Sequence, residues 1–99
     1  MAIEVEIQDG EGNLLMRYDG PSLGLPFVKL APSQSTCFRF ILPWSDTTFN
    51  EAQIQILKDE IREVASKTDN SNRLNELTAL TSFLERAVGA HFYVKFLGD

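Results

Sequence analysis

The sequence predicts an α+β fold: a two-layer sandwich whose mostly antiparallel sheet of about four strands is covered on one face by two helices, in the order β-β-β-α-α-β. Three observations carry that expectation. Residues 3–8, 36–42 and 92–97 alternate apolar and polar at strand period. Residues 49–65 and 72–88 repeat apolar positions at helical period. Two such helices need a shared apolar surface, and the strands supply it.

The first strand is "AIEVEIQ", with Ile3, Val5 and Ile7 on one face and Glu4, Glu6 and Gln8 on the other. "DGEGN" is a glycine-rich turn, and "LLMRYD" returns as the second strand of a hairpin. Residues 20–35, "GPSLGLPFVKLAPSQS", hold three prolines and two glycines and read as a long loop across one end of the core, with a short strand at "FVKL". "TCFRFIL" is the expected third strand, with Phe38, Phe40 and Leu42 inward, Cys37, Arg39 and Ile41 outward, and Pro43 as its stop. Thr48 and Glu51 have capping-box spacing, so a helix is expected from Phe49, with Ile54, Leu57, Ile61, Val64 and Ala65 as its stripe. Asp69 or Ser71 caps the second helix, whose stripe is Leu74, Leu77, Leu80, Leu84 and Val88 and whose end is Gly89. The last strand places Phe92, Val94 and Phe96 inward and His91, Tyr93, Lys95 and Leu97 outward. Ile56, near Phe49 and Ala52, and Phe83 fall off these stripes and read first as scattered exposed apolar residues, with a second contact surface as the alternative.

The 99 residues suit a single domain, 1–99, and 43% apolar with 23% charged residues excludes wholesale disorder. No run is apolar enough to span a bilayer, and the N-terminal residues lack the pattern of a signal peptide. Cys37 is the one cysteine, so no internal disulfide forms, which fits a cytoplasmic location. The net charge of −5 is concentrated: Glu4, Glu6, Asp9, Glu11 and Asp19 against Arg17 leave residues 1–20 at −4 and the other 79 at −1. Such a surface repels nucleic acid and anionic membrane and favours a basic protein partner.

Four constellations bring together residue types that could carry chemistry. Asp9, Glu11 and Asn13 alternate like the start of a calcium loop, but the sixth position is Leu14 and the twelfth is Gly20, so no metal is expected. Cys37 and His91 make a thiol–imidazole pair in composition only, because antiparallel strands place them at opposite ends of the sheet. Trp44, Asp46 and His91, with Thr47, converge at one sheet edge if the third strand ends at Pro43, beside a helix N-terminus. Trp44 also suits a lid on the core. Arg39, Tyr93 and Lys95 share the outer sheet face with Glu4 and Glu6, a mixture that cross-strand pairing explains. No catalytic residue set and no cofactor motif stands out. The stretches "FRFILPWSDTTFNEAQ" and "HFYVKFLGD" resemble blocks of small bacterial proteins, a likeness that implies no function.

The leading expectation is a small acidic soluble module that binds another protein, with immunity- or antitoxin-like inhibition as one form. Its expected contacts are the acidic hairpin (Glu4, Glu6, Asp9, Glu11, Asp19) and the apolar loop (Leu23, Leu25, Phe27). The alternatives are a small-molecule site or minor enzyme at Trp44, Asp46 and His91, and a homodimer through a sheet edge or through Phe49, Ile56 and Phe83.

Overall fold

A computed structural model describes residues 2–87 and 91–98. In chain order they form β1 (Glu4–Gln8), β2 (Leu14–Arg17), a short helix α1 (Leu25–Val28), a 3-10 turn (Phe38–Phe40), β3 (Thr47–Phe49), α2 (Glu51–Ala65), α3 (Ser71–Leu84) and β4 (Tyr93–Leu97). The four strands make one antiparallel sheet in the order β2-β1-β4-β3, as the α+β reading expects. β1 and β4 are central because their alternation is cleanest. Val5 and Ile7 pair with Phe96 and Val94, so all four side chains enter one buried face. Helices α2 and α3 cover that face with Ile54, Leu57, Ile61, Leu77, Leu80 and Leu84. Each such side chain contributes about 1.5–3 kcal/mol on full burial.

The third strand is not where its alternation placed it. Residues 36–42 hold a single 3-10 turn, in which Cys37, Phe38 and Ile41 are buried while Arg39 and Phe40 face solvent. The cause is Glu60 of α2. Its carboxylate accepts the backbone N–H groups of Thr36, Cys37 (3.0 Å) and Phe38 (3.0 Å), so those donors turn toward the helix instead of a neighbouring strand. Strand β3 forms ten residues later, where Thr47, Thr48 and Phe49 pair with Phe96, Lys95 and Val94.

That shift moves the start of α2 as well. Phe49 closes β3, and the capping box is Asn50 with Gln53: Gln53 N donates to Asn50 Oδ1 at 3.0 Å and Asn50 N to Gln53 Oε1 at 2.9 Å. Asn50 therefore replaces the expected Thr48. Asn70, not Asp69 or Ser71, caps α3 through Arg73 N at 3.1 Å. The α3 stripe is rotated too. Leu74 is 37% exposed, whereas Phe83 is 5% exposed and meets the Tyr18 ring edge-on at 5.6 Å. Phe49 is likewise buried, which leaves Ile56 alone of the expected second contact surface. Val88 and Gly89 lie outside the described residues.

The loop after the hairpin crosses one end of the core, as expected, but with helix α1 in place of a strand at "FVKL". Ile3 N donates to the Leu23 carbonyl at 2.8 Å, which pins the loop beside β1. Leu23 and Phe27 are then sealed at 0% exposure, with Phe27 packed on Phe38 at 5.3 Å between ring centres.

Candidate functional site

The acidic hairpin is built by β1, β2 and a turn ordered by Asp9. Asp9 Oδ1 accepts the N–H groups of Glu11 and Asn13, each at 2.9 Å, and Oδ2 accepts Asn13 Nδ2 at 3.1 Å. Those bonds, the Asn13 backbone N–H first, hold the Asp9 carboxyl below its usual range. Gly12 completes the turn at φ 84, where a side chain would be strained. Asp9 is thus occupied as a turn residue, and among the described residues no cluster of metal-ligating side chains forms.

Glu6 is also engaged. It faces Arg17 across the strands, with Arg17 Nε at 3.3 Å, and it accepts Gln8 Nε2 at 3.1 Å. Lys95 lies opposite Glu6 on the other side, and its ammonium is 4.0 Å from Asp46. A row of alternating sign therefore crosses the outer face from Arg17 through Glu6 and Lys95 to Asp46. Glu4, Glu11 and Asp19 are exposed and make no ion pair among the described residues. Of the apolar loop residues, Leu23 and Phe27 belong to the core and are closed to any partner. Leu25 alone of the three is open to solvent.

Trp44, Asp46 and His91 do not converge. Asp46 stands at the far end of β4, where its Oδ1 accepts Gly98 N at 3.1 Å. His91 stands at the near end, opposite Gly10, whose place a Cβ would fill at 3.4 Å from the His91 Cβ. The six residue steps from His91 to Leu97 span up to about 20 Å at strand spacing. An open groove of about 320 Å³ does run past His91, lined by Asn50, Glu51, Ala52, Phe92 and Tyr93. His91 itself adopts φ 70, a left-handed conformation that sequence reasoning gave no sign of. Trp44 is not a lid: it is 64% exposed. Beside it in sequence, the Arg39 guanidinium lies 4.6 Å over the ring of exposed Phe40.

Cys37 and His91 are equally remote. Cys37 sits on Glu60 while His91 sits by Glu51, nine residues and about 13 Å away along α2. Burial, and secondarily the Glu60 charge, pushes the Cys37 thiol above its usual pKa, so the closed structure holds it as an unreactive thiol.

Glu60 is the residue that sequence reasoning missed. It looked like one more acid on a helix, and the only available sign was its place beside the helix's apolar stripe. Arg73 and Glu76 were missed as well; they form a largely buried ion pair at 3.1 Å next to Tyr18. Comparison with protein-family models, with curated proteins and with solved structures found no match.

Proposed function

We infer that the protein acts by binding another protein, and that the partner presents a basic surface. Immunity- or antitoxin-like inhibition is one form of this activity. The observation that supports it is the charge state of the hairpin. Its one cation, Arg17, is taken by Glu6, which leaves Glu4, Glu11 and Asp19 uncompensated on a single exposed element. Uncompensated like charge opposes folding slightly and accelerates encounter with a surface of opposite sign.

The test is association kinetics with a captured basic partner. The on-rate falls as ionic strength rises, and the double variant Glu4→Gln, Asp19→Asn lowers it further with little change in off-rate. An on-rate insensitive both to salt and to those two substitutions sinks the reading.

A further inference from the structure

We propose that residues 32–42 form a strap that opens as a unit, that Glu60 is its latch, and that the strap gates the Cys37 thiol. The inference stands apart from the charge-based reading above and uses none of its residues.

The strap begins at Pro32 and ends before Pro43, so a residue with no backbone N–H stands at each boundary. It contributes no strand to the sheet and contains one 3-10 turn. Its internal bonds are short-range: Ser35 Oγ donates to the Pro32 carbonyl at 2.7 Å and accepts Arg39 N at 2.9 Å. Among the described residues, its hydrogen bonds to α2 are the three from Thr36, Cys37 and Phe38 to the Glu60 carboxylate. One more bond, from Thr47 Oγ1 to the Phe40 carbonyl at 2.7 Å, ties it to β3. Three donors thus depend on one side chain, and they are released together when that side chain leaves.

What the strap covers gives the opening a consequence. Cys37, Phe38 and Ile41 are its buried apolar side chains. Withdrawing them removes one edge of the core, including the Phe27–Phe38 contact, but breaks no sheet ladder, so opening is a smaller event than unfolding. Cys37 is the only cysteine and is 2% exposed, so it reacts with a bulky reagent only after opening. The outer side of the same strap carries Arg39 and Phe40, and Trp44 follows one residue after Pro43. A group attached to Cys37 cannot be accommodated in the closed site, so it holds the strap open and displaces those exposed aromatics. The latch therefore couples the state of a buried thiol to the shape of an exposed surface.

The experiment uses the full chain and an aromatic disulfide as the probe. The Cys37 thiolate attacks one sulfur of the reagent, the reagent's disulfide breaks, a mixed disulfide forms on Cys37, and one aryl thiolate leaves as the signal. Wild-type labelling is expected to be slow, with a denaturant dependence well below that of global unfolding, because opening exposes only the part of the core that the strap covers. Glu60→Gln, which keeps an acceptor oxygen but loses the charge, speeds labelling by roughly 10- to 100-fold without a comparable loss of global stability. Ser35→Ala, which removes two bonds inside the strap, gives a smaller acceleration and serves if Glu60→Gln folds poorly. Amide exchange needs no variant: Thr36, Cys37 and Phe38 are expected to exchange together, well before the amides of α2. Labelling with the full denaturant dependence of global unfolding, or the three amides exchanging with the core, would overturn the proposal.

Discussion

Raising the pH through the ionisation of Tyr18 removes a defined amount of stability. Tyr18 donates its hydroxyl to the Pro21 carbonyl at 2.7 Å and packs against Phe83. Burial, followed by the charges of Glu76 and Asp19, pushes its pKa up to about 12 from 10.0. The folded state therefore keeps the phenol proton after the unfolded chain has lost it. The contribution is complete below pH 10, declines between 10 and 12, and is gone above that window. A shift of about 2 units is worth at most ~2.7 kcal/mol, and the partial exposure of the ring reduces this to ~1–1.5 kcal/mol. Thermal melts of wild type and Tyr18→Phe in steps from about pH 8 to about pH 12 isolate the effect from other titrating groups. At neutral pH the variant melts below wild type by about 4–8 °C, because it lacks a hydrogen bond worth ~1 kcal/mol. As pH rises the two curves approach and then cross. Curves that stay parallel through the window would refute the placement of Tyr18 as a partly buried donor.

Two further predictions follow from local geometry. Asn50→Ala removes the N-cap and one half of the capping box of α2, costs about 1 kcal/mol, and lowers the melting temperature by about 4–8 °C; a change within about 1 °C would show that the box adds nothing. Gly98→Ala puts a Cβ 2.5 Å from Ser45 N and 2.7 Å from Ser45 O, so the Pro43–Ser45 backbone or the chain end must move. A loss of ~1–3 kcal/mol and an altered emission from Trp44, the only tryptophan, are expected, and an unchanged spectrum with unchanged stability would contradict the packing.

Much of the sheet was legible in the sequence because its signals are local. The strict alternation of Ile3, Val5 and Ile7, and of Phe92, Val94 and Phe96, can be satisfied by one buried sheet face. The stripe of Ile54, Leu57 and Ile61 needs only a helix of period 3.6. "TCFRFIL" was different, because Cys37, Phe38, Phe40, Ile41 and Leu42 are apolar on both parities and fit a strand in name only. The bonds that decided its conformation come from Glu60, 22 to 24 residues away. "TTF" was invisible for the opposite reason: three residues carry almost no periodicity, and β3 exists because β4 offers a free edge there. Phe83 displaced Leu74 from the core because Tyr18, supplied by the hairpin, selects which side of α3 is covered.

The candidate site changed through topology more than through any side chain. A third strand ending at Pro43 would make residues 43–46 its exit. Given antiparallel pairing with β4, that exit lies beside the start of β4, where His91 is. With β3 at Thr47–Phe49, the same four residues become the entry to the strand. Antiparallel pairing then carries them to the end of β4, and Asp46 binds Gly98 instead of approaching His91. Moving the strand past its own flanking segment exchanges the two ends of the sheet for every residue in that segment. The imidazole is left beside Gly10 and the capped start of α2, with no carboxylate from residues 43–46 within reach. A catalytic pairing of Asp46 with His91 therefore fails on the order of chain elements alone, before any distance is measured. Trp44 is affected by the same exchange. In the predicted layout it closed the core at the exit of the third strand. In the observed one it precedes an edge strand, the Pro43 and Ser45 backbone on either side of it lies against Gly98, and its ring is left in solvent.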